Sequence, residues 1–177
     1  MKRIILTGAQ GTGKTTILNH FKEQGMNCIT EVVRKLAKNQ GVKINECGDI
    51  DGQQIIFNTY KDILSQQNDY ISDRGLTDVV AYTTYLRERN SNLNILMLLQ
   101  LMSLKEFNDK NDDIIYCYFP IEFDVVDDGV RSIDEEFRKE IDSNIKKLLD
   151  TIVKDYYIIR GTVEERIKQL ESIIANN

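Results

Sequence analysis

The sequence is short of the residues that interrupt regular structure and of those that most often bind metals. Pro120 is the sole proline and His20 the sole histidine, so most of the chain is free to form helix and strand. His20 falls on the helix after a glycine-rich stretch and reads as a solvent-facing residue. Cys28, Cys47 and Cys117 form no C-x-x-C pair and come in an odd number, which argues against a disulfide framework or a zinc cage. They read as reduced thiols of a cytosolic protein. Positive charge is scarce as well: 23 Lys and Arg against 28 Asp and Glu leave a formal charge of −5. That argues against a broad footprint for long nucleic acid, although a local basic lining can still hold a phosphate or a short strand. Long apolar runs are missing too. The densest, LNILMLLQLMSL at 93–104, is shorter than the ~20 residues of a spanning helix. The start MKRIILTGAQ is broken by glycine and polar residues too early for a signal peptide, so the expectation is a cytoplasmic protein with no membrane segment.

What is present reads as one domain over 1–177. Apolar runs bounded by turn signals alternate with helical-period segments, the pattern of strand-helix-strand units and hence of an α/β fold with a parallel sheet covered by helices. The strand candidates are RIILTG (3–8), NCITE (27–31), DYISD (69–73), IIYCYF (114–119) and YYIIR (156–160). A helix is expected from Lys14 to Gln24, ended by Gly25, and a short one carries Val32, Val33 and Leu36. A polar stretch with Gly41, Gly48 and Gly52 reads as surface loop, followed by a helix with Ile56, Tyr60, Ile63 and Leu64. Thr77 and Ser91 are placed to cap two further helices, the second of which is apolar nearly all round. It reads as core, with a subunit interface in a homo-oligomer as the alternative. Ser132 with Glu135, and Thr162 with Glu165, form capping boxes before the last two helices.

The most informative stretch is Gly8-Ala9-Gln10-Gly11-Thr12-Gly13-Lys14-Thr15, which fits G-x-x-x-x-G-K-S/T between a strand and a helix. Without side chains at the three glycines, backbone can curl around a phosphate and aim successive N–H groups at it, assisted by the positive end of the following helix. Lys14 is then placed to reach the β- and γ-phosphates of ATP, Thr15 to offer its hydroxyl to Mg²⁺, and Thr16 to touch the α-phosphate.

A cradle does not say what is done with the phosphate. No N/T-K-x-D segment that would read guanine occurs, and the strand DYISD ends in Asp73-Arg74 rather than the Asp-Glu of a water-activating motor. Asp73 is a candidate Mg²⁺ ligand, direct or through water, or else a helix cap. Arg74 would set a permanent cation where an acceptor phosphate or the moving phosphoryl group sits, or else forms a surface salt bridge.

These motifs resemble the P-loop NTPase fold of nucleoside and nucleotide kinases, most closely the NadR-like AAA-28 group that includes ribosylnicotinamide kinase domains. The resemblance rests on TGAQGTGKTTIL, on ITEVVRKLA (29–37), on SDRGLTDVVAY (72–82) and on FPIEFDVVDDGVRSIDEEFRKEI (119–141). It implies a five-stranded parallel sheet in the order 2-3-1-4-5 flanked by helices, ATP as donor and a lid at about 121–140. Residue by residue, it makes Glu31 the acid facing the acceptor hydroxyl, where a carboxylate at a strand's C-terminal edge suits a general base; a helix cap is the alternative. It places Asp78 and Tyr82 about the acceptor, and Arg34, one turn on from Glu31, either holds the acceptor or pairs with that glutamate. It also assigns the lid arginines Arg131 and Arg138 to charge on the phosphates, and Gly161 and Arg166 to the adenine.

The function implied is a kinase that moves the γ-phosphoryl group of ATP to a small nucleoside-like or nucleotide acceptor: ribosylnicotinamide, a deoxynucleoside or a nucleoside monophosphate. A polynucleotide 5′-kinase, or an ATP-binding module that acts on a protein partner without a phosphorylated small product, are the rival readings.

Overall fold

The computed structural model describes residues 2–123 and 134–176. Five strands, β1 (Arg3–Thr7), β2 (Cys28–Ile29), β3 (Tyr70–Asp73), β4 (Ile114–Tyr118) and β5 (Tyr157–Ile158), form one sheet in the order β2-β3-β1-β4-β5. Every pairing is parallel, with Ile4 opposite both Ile71 and Ile115. The expected strands are all present. The two at the edges are shorter than their apolar runs because each has a partner on one side only, so fewer backbone groups enter the ladder.

Among the described residues seven α-helices cover the sheet: α1 (Lys14–Glu23), α2 (Val32–Gln40), α3 (Ile50–Gln66), α4 (Leu76–Arg89), α5 (Asn94–Lys110), α6 (Glu135–Leu148) and α7 (Val163–Asn176). Because successive strand residues point to opposite faces, β1 divides its apolar side chains between two cores. Ile4 and Leu6 pack with Ile17, Leu18, Phe21 and Leu170 beneath α1 and α7. Ile5 joins the larger core on the other face, built with Phe57, Tyr60, Val80, Leu104 and Ile141 from α3 to α6. Burial on both faces is the reason the strands read as continuous apolar runs. No helix among the described residues is long and apolar enough to cross a membrane.

Several local expectations change. Thr77 is fully buried inside the first turn of α4, and Gly75 takes the cap position with its N–H donated to the Asp78 carboxylate. Ser91 does not cap α5: Asn90 caps the short 3-10 turn Ser91–Leu93 ahead of it by accepting from the Asn92 N–H, and Leu93 at the start of α5 makes no side-chain cap. Asp134 caps α6 by accepting from the N–H groups of Glu136 and Phe137, while Ser132 lies outside the described residues. The Thr162–Glu165 box forms in both directions. The stretch around Gly52 is not surface loop: Gly52 is buried within α3, whose Asp49 cap accepts its N–H. The core reading of the Leu-rich helix holds for only one side of it. Leu93, Leu104 and Phe107 are buried, whereas Ile95, Leu98, Leu99 and Met102 stand in solvent.

Candidate active site

The glycine loop joins β1 to α1 at the C-terminal edge of the sheet, beside the ends of β3 and β4. Gly8 sits at φ 145°, and a Cβ there would run into the Phe119 carbonyl. Gly11 and Gly13 take φ values of 71° and 85°, a left-handed region in which a side chain is strained. The glycines are therefore set by the bend itself.

Two arginines from the far end of the chain hold the outer side of that bend. Arg138, on α6, donates through Nε to the Gln10 carbonyl at 2.9 Å and through Nη2 to the Phe123 carbonyl at 2.6 Å. Arg166, on α7, donates through Nη1 to the Thr12 carbonyl at 2.6 Å, through Nε to Gly161 at 2.9 Å and through Nη2 to Glu122 at 2.5 Å. Each is only 1% exposed. Both were expected at the nucleotide; what they touch here is backbone of the loop that would carry it. Gly161, at φ 98°, donates its N–H to the same Glu122. Partial burial pushes the Glu122 carboxyl up, but the Gly161 N–H and the Arg166 guanidinium outweigh it and hold it below the usual carboxylate range. Glu122 was not singled out from the sequence, where it is one acid in a run that looks solvated.

Lys14 is 4% exposed, and its Nζ donates to the carbonyls of Gly8 and Ala9 at 2.7 Å each and to the Thr12 hydroxyl at 3.0 Å. Thr15 donates its hydroxyl to Asp73 Oδ2 at 2.8 Å, and Asp73 Oδ1 is buried without a hydrogen-bond partner. A hydroxyl beside a carboxylate with an unused buried oxygen is a donor set that fits Mg²⁺, a hard cation that takes oxygen ligands. The cap reading of Asp73 is not realised, since α4 is capped at Gly75.

Arg74 follows in a left-handed conformation, φ 75°, with its N–H bonded to the Leu6 carbonyl and its carbonyl bonded by the Ser72 hydroxyl at 2.6 Å. That backbone turn brings its side chain inward: it is 21% exposed, lies over the Tyr82 ring at 5.4 Å and pairs with Asp78 at 3.5 Å. The pairing runs through Nη1, which faces Asp78 as an ion pair and makes no hydrogen bond. Burial alone would lower the guanidinium's pKa, but Tyr82, Asp78 and Asp73 around it raise it, so the cation is permanent. Asp78 is 1% exposed and also accepts the N–H groups of Gly8 and Gly75, at 3.4 and 3.2 Å. Burial pushes its carboxyl up, against the pull of Arg74 and Lys14. Asp78 thus ties the first turn of the glycine loop to Arg74.

Glu31 occupies the backbone cap position of α2 at φ 60°, yet its side chain makes no cap hydrogen bond. Its carboxylate stands 3.4 Å from Arg34 Nε. One cavity of about 350 Å³ gathers these groups, running from Gln10–Thr16 past Asp73 and Arg74 to Glu31 and Arg34. Its far wall is apolar, made by Val32, Ile44, Ile56 and Val79, with Tyr60, Tyr82, Asn45 and Gln53 among them. Tyr60 donates its hydroxyl to the Asp73 carbonyl and Tyr82 to the Gln10 side chain, each at 3.1 Å, so the wall is bolted to the end of β3 and to the glycine loop. Gln53 went unnoticed in the sequence, although a signal was there: it stands on the buried stripe of α3 with Ile56, Phe57 and Tyr60. Its Oε1 accepts from the Thr83 hydroxyl at 3.0 Å. His20 lies on α1 near Glu171, away from the cavity. Arg131 lies outside the described residues.

A family model described as an AAA domain matches residues 3–166. The chain belongs to this AAA domain family. No curated relative matches the chain in sequence. Among solved structures, this AAA domain is similar to NadR in complex with NR, with a TM-score of 0.73 and 16% identity over 98% of this chain and 51% of the other. It is similar to deoxyadenosine kinase from M. mycoides with dCMP and dCDP bound, with a TM-score of 0.66 and 16% identity over 98% of both chains. It is also similar to thymidylate kinase from Candida albicans, with a TM-score of 0.63 and 16% identity over 99% and 92%. At such identities the likeness is one of fold, and that fold is the P-loop kinase fold with the strand order expected from the sequence.

Proposed function

We propose that this AAA domain is an ATP- and Mg²⁺-dependent kinase that phosphorylates a hydroxyl of a small nucleoside-like molecule. The observation that carries the reading is the continuity of the cavity: one space joins the loop bearing Lys14 and Thr15 to a walled pocket beyond Glu31 and Arg74. A hydrolase or a switch has no use for a second pocket at the γ-phosphate end, whereas a transferase needs one to hold the acceptor in line.

In this reading the acceptor hydroxyl attacks the γ-phosphorus as the bond to the β,γ-bridging oxygen breaks, its proton passes to Glu31, and ADP leaves. Lys14 exchanges the loop carbonyls for phosphate oxygens. Arg74, held by Asp78 through Nη1 and lying over the Tyr82 ring, meets the charge that develops on the phosphoryl group. Mg²⁺, held through Thr15 and Asp73, would neutralise the β- and γ-oxygens. Arg138 and Arg166 act by fixing the shape of the cradle from outside, and Gly161 belongs to that brace.

The acceptor side favours a neutral, partly apolar body: aliphatic walls, two tyrosines, and the amides of Asn45 and Gln53 to pair with a heteroaromatic edge. The test is to incubate the protein with ATP, Mg²⁺ and a panel of nucleosides, nucleoside monophosphates and a 5′-hydroxyl oligonucleotide, and read products by mass. A nucleoside that gains one phosphate is the expected result, with the rate falling about 10²–10³-fold in Lys14→Ala. A panel in which no small acceptor gains phosphate, or an undiminished Lys14→Ala variant, overturns the reading.

A further inference from the structure

Helix α5 carries apolar residues on two sides, and the fold uses only one of them. Leu93, just ahead of it, and Gln100, Leu104 and Phe107 are buried. On the other side Ile95, Leu98, Leu99 and Met102 are 72%, 54%, 59% and 70% exposed. Their spacing of three, one and three residues aligns them in one stripe. Four large apolar side chains more than half exposed along one stripe form a patch of the kind that, as the largest on a monomeric protein, is often functional.

The charges around the stripe decide what covers it. Residues 94–104 carry no charged side chain. The next turns carry four, and they neutralise one another: Lys105 pairs with Asp109 and Lys110 with Glu106, each at 2.6 Å. A membrane surface would call for a Lys and Arg excess along the flank, and a charged peptide for the opposite charge. Neither is present. A chain of net charge −5 repels its own copy except across a neutral face, and this is one.

We propose that the exposed face of α5 is a homodimer interface, two copies packing α5 against α5 about a twofold axis near Leu98 and Leu99. The axis sets Ile95 of each copy against Met102 of the other, so the patch is complementary to itself, as such symmetry demands. The partly buried Leu96, Met97 and Leu101 extend the stripe toward the ~800 Å² that each partner of a stable complex contributes. On the opposite face Gln100 donates to the Gln53 carbonyl at 3.2 Å, so the interface backs the acceptor wall of the cavity.

Sedimentation equilibrium at 5–100 μM (roughly the range in which a weak interface reveals itself) tests this. The wild-type chain of 20.5 kDa is expected at twice that mass, and Leu98→Glu and Met102→Lys, made separately, are expected as monomers with unchanged far-UV circular dichroism and ATP binding. Should Leu98→Glu fail to fold, the more exposed Met102 carries the test alone. A wild-type monomer at the highest concentration overturns the proposal, as does a dimer that both variants leave intact. So does a wild-type monomer captured by anionic lipid vesicles, which would assign the stripe to a membrane.

Discussion

Replacing Asp78 with alanine removes the carboxylate that joins the glycine loop to Arg74, and the cost can be worked from its surroundings. Asp78 is 1% exposed, accepts the N–H groups of Gly8 at 3.4 Å and Gly75 at 3.2 Å, and faces the Arg74 guanidinium at 3.5 Å. Two amide bonds to a carboxylate at such lengths contribute about 1–1.5 kcal/mol each. Removing one partner of a buried ion pair costs about 3–5 kcal/mol, because the other charge stays in place without compensation. Arg74 is 21% exposed, so water relieves part of that, and the contributions overlap; about 3 kcal/mol is the expected loss, or roughly 6–12 °C in Tm for a domain of this size. Burial raises the Asp78 carboxyl pKa, which means that ionising it already costs energy. The intact pair is therefore worth less than the cost of breaking it, and Asp78→Leu with Arg74→Met should recover most of the stability. Thermal melts of the two single variants and the double should close a cycle with a coupling of at least about 1.5 kcal/mol. A Tm for Asp78→Ala within about 2 °C of the parent, or a coupling near zero, would refute the claim that Asp78 holds Arg74 in place.

Two further outcomes follow from the same geometry. Arg166→Met removes the ties to Thr12 and Glu122, and at about 1.5 kcal/mol for a charged hydrogen bond that shapes the cradle, ATP affinity by calorimetry should fall about tenfold. The depressed Glu122 carboxyl stabilises the fold above the usual carboxylate range and loses that contribution as pH falls through its lower folded value. Stability to urea should accordingly drop more steeply on acidification in the parent than in Arg166→Met; parallel profiles would sink the brace. For the thiols, burial pushes Cys117 up to about 12, so folded-state stability is unaffected by this group at neutral pH and declines as pH rises toward that value. At pH 8 iodoacetamide should label the exposed Cys47 and spare the buried Cys117 until the chain unfolds, a difference that peptide mass mapping reads directly.

The expected features that survived are those whose cause is local. Gly8, Gly11 and Gly13 sit at positive φ because the G-x-x-x-x-G-K-S/T spacing demands a bend that other residues resist, and the five apolar runs became five parallel strands because they alternate with helices long enough to cross over. The Thr162–Glu165 box formed because its partners are three residues apart. Thr77 and Ser91 failed as caps by a residue or two, since propensity marks a helix end less sharply than the fold does. The roles of Arg138 and Arg166 could not be read in this way. Their partners Gln10 and Thr12 lie 128 and 154 residues distant, and no spacing rule covers that separation.

By itself the sequence determined a glycine loop between a strand and a helix, an α/β chain order and the residues proposed to meet a nucleotide, because backbone conformation, hydrophobic period and formal charge are properties of short stretches. The tertiary structure alone decided which arginine turns into the cavity and which ones grip the loop from behind, that Gln53 and the tyrosines line that cavity, and that half of the most apolar helix is left facing water. Those outcomes depend on what lies across the sheet from each side chain. That is set by how the layers pack, and neighbours in space carry no mark in the order of the chain.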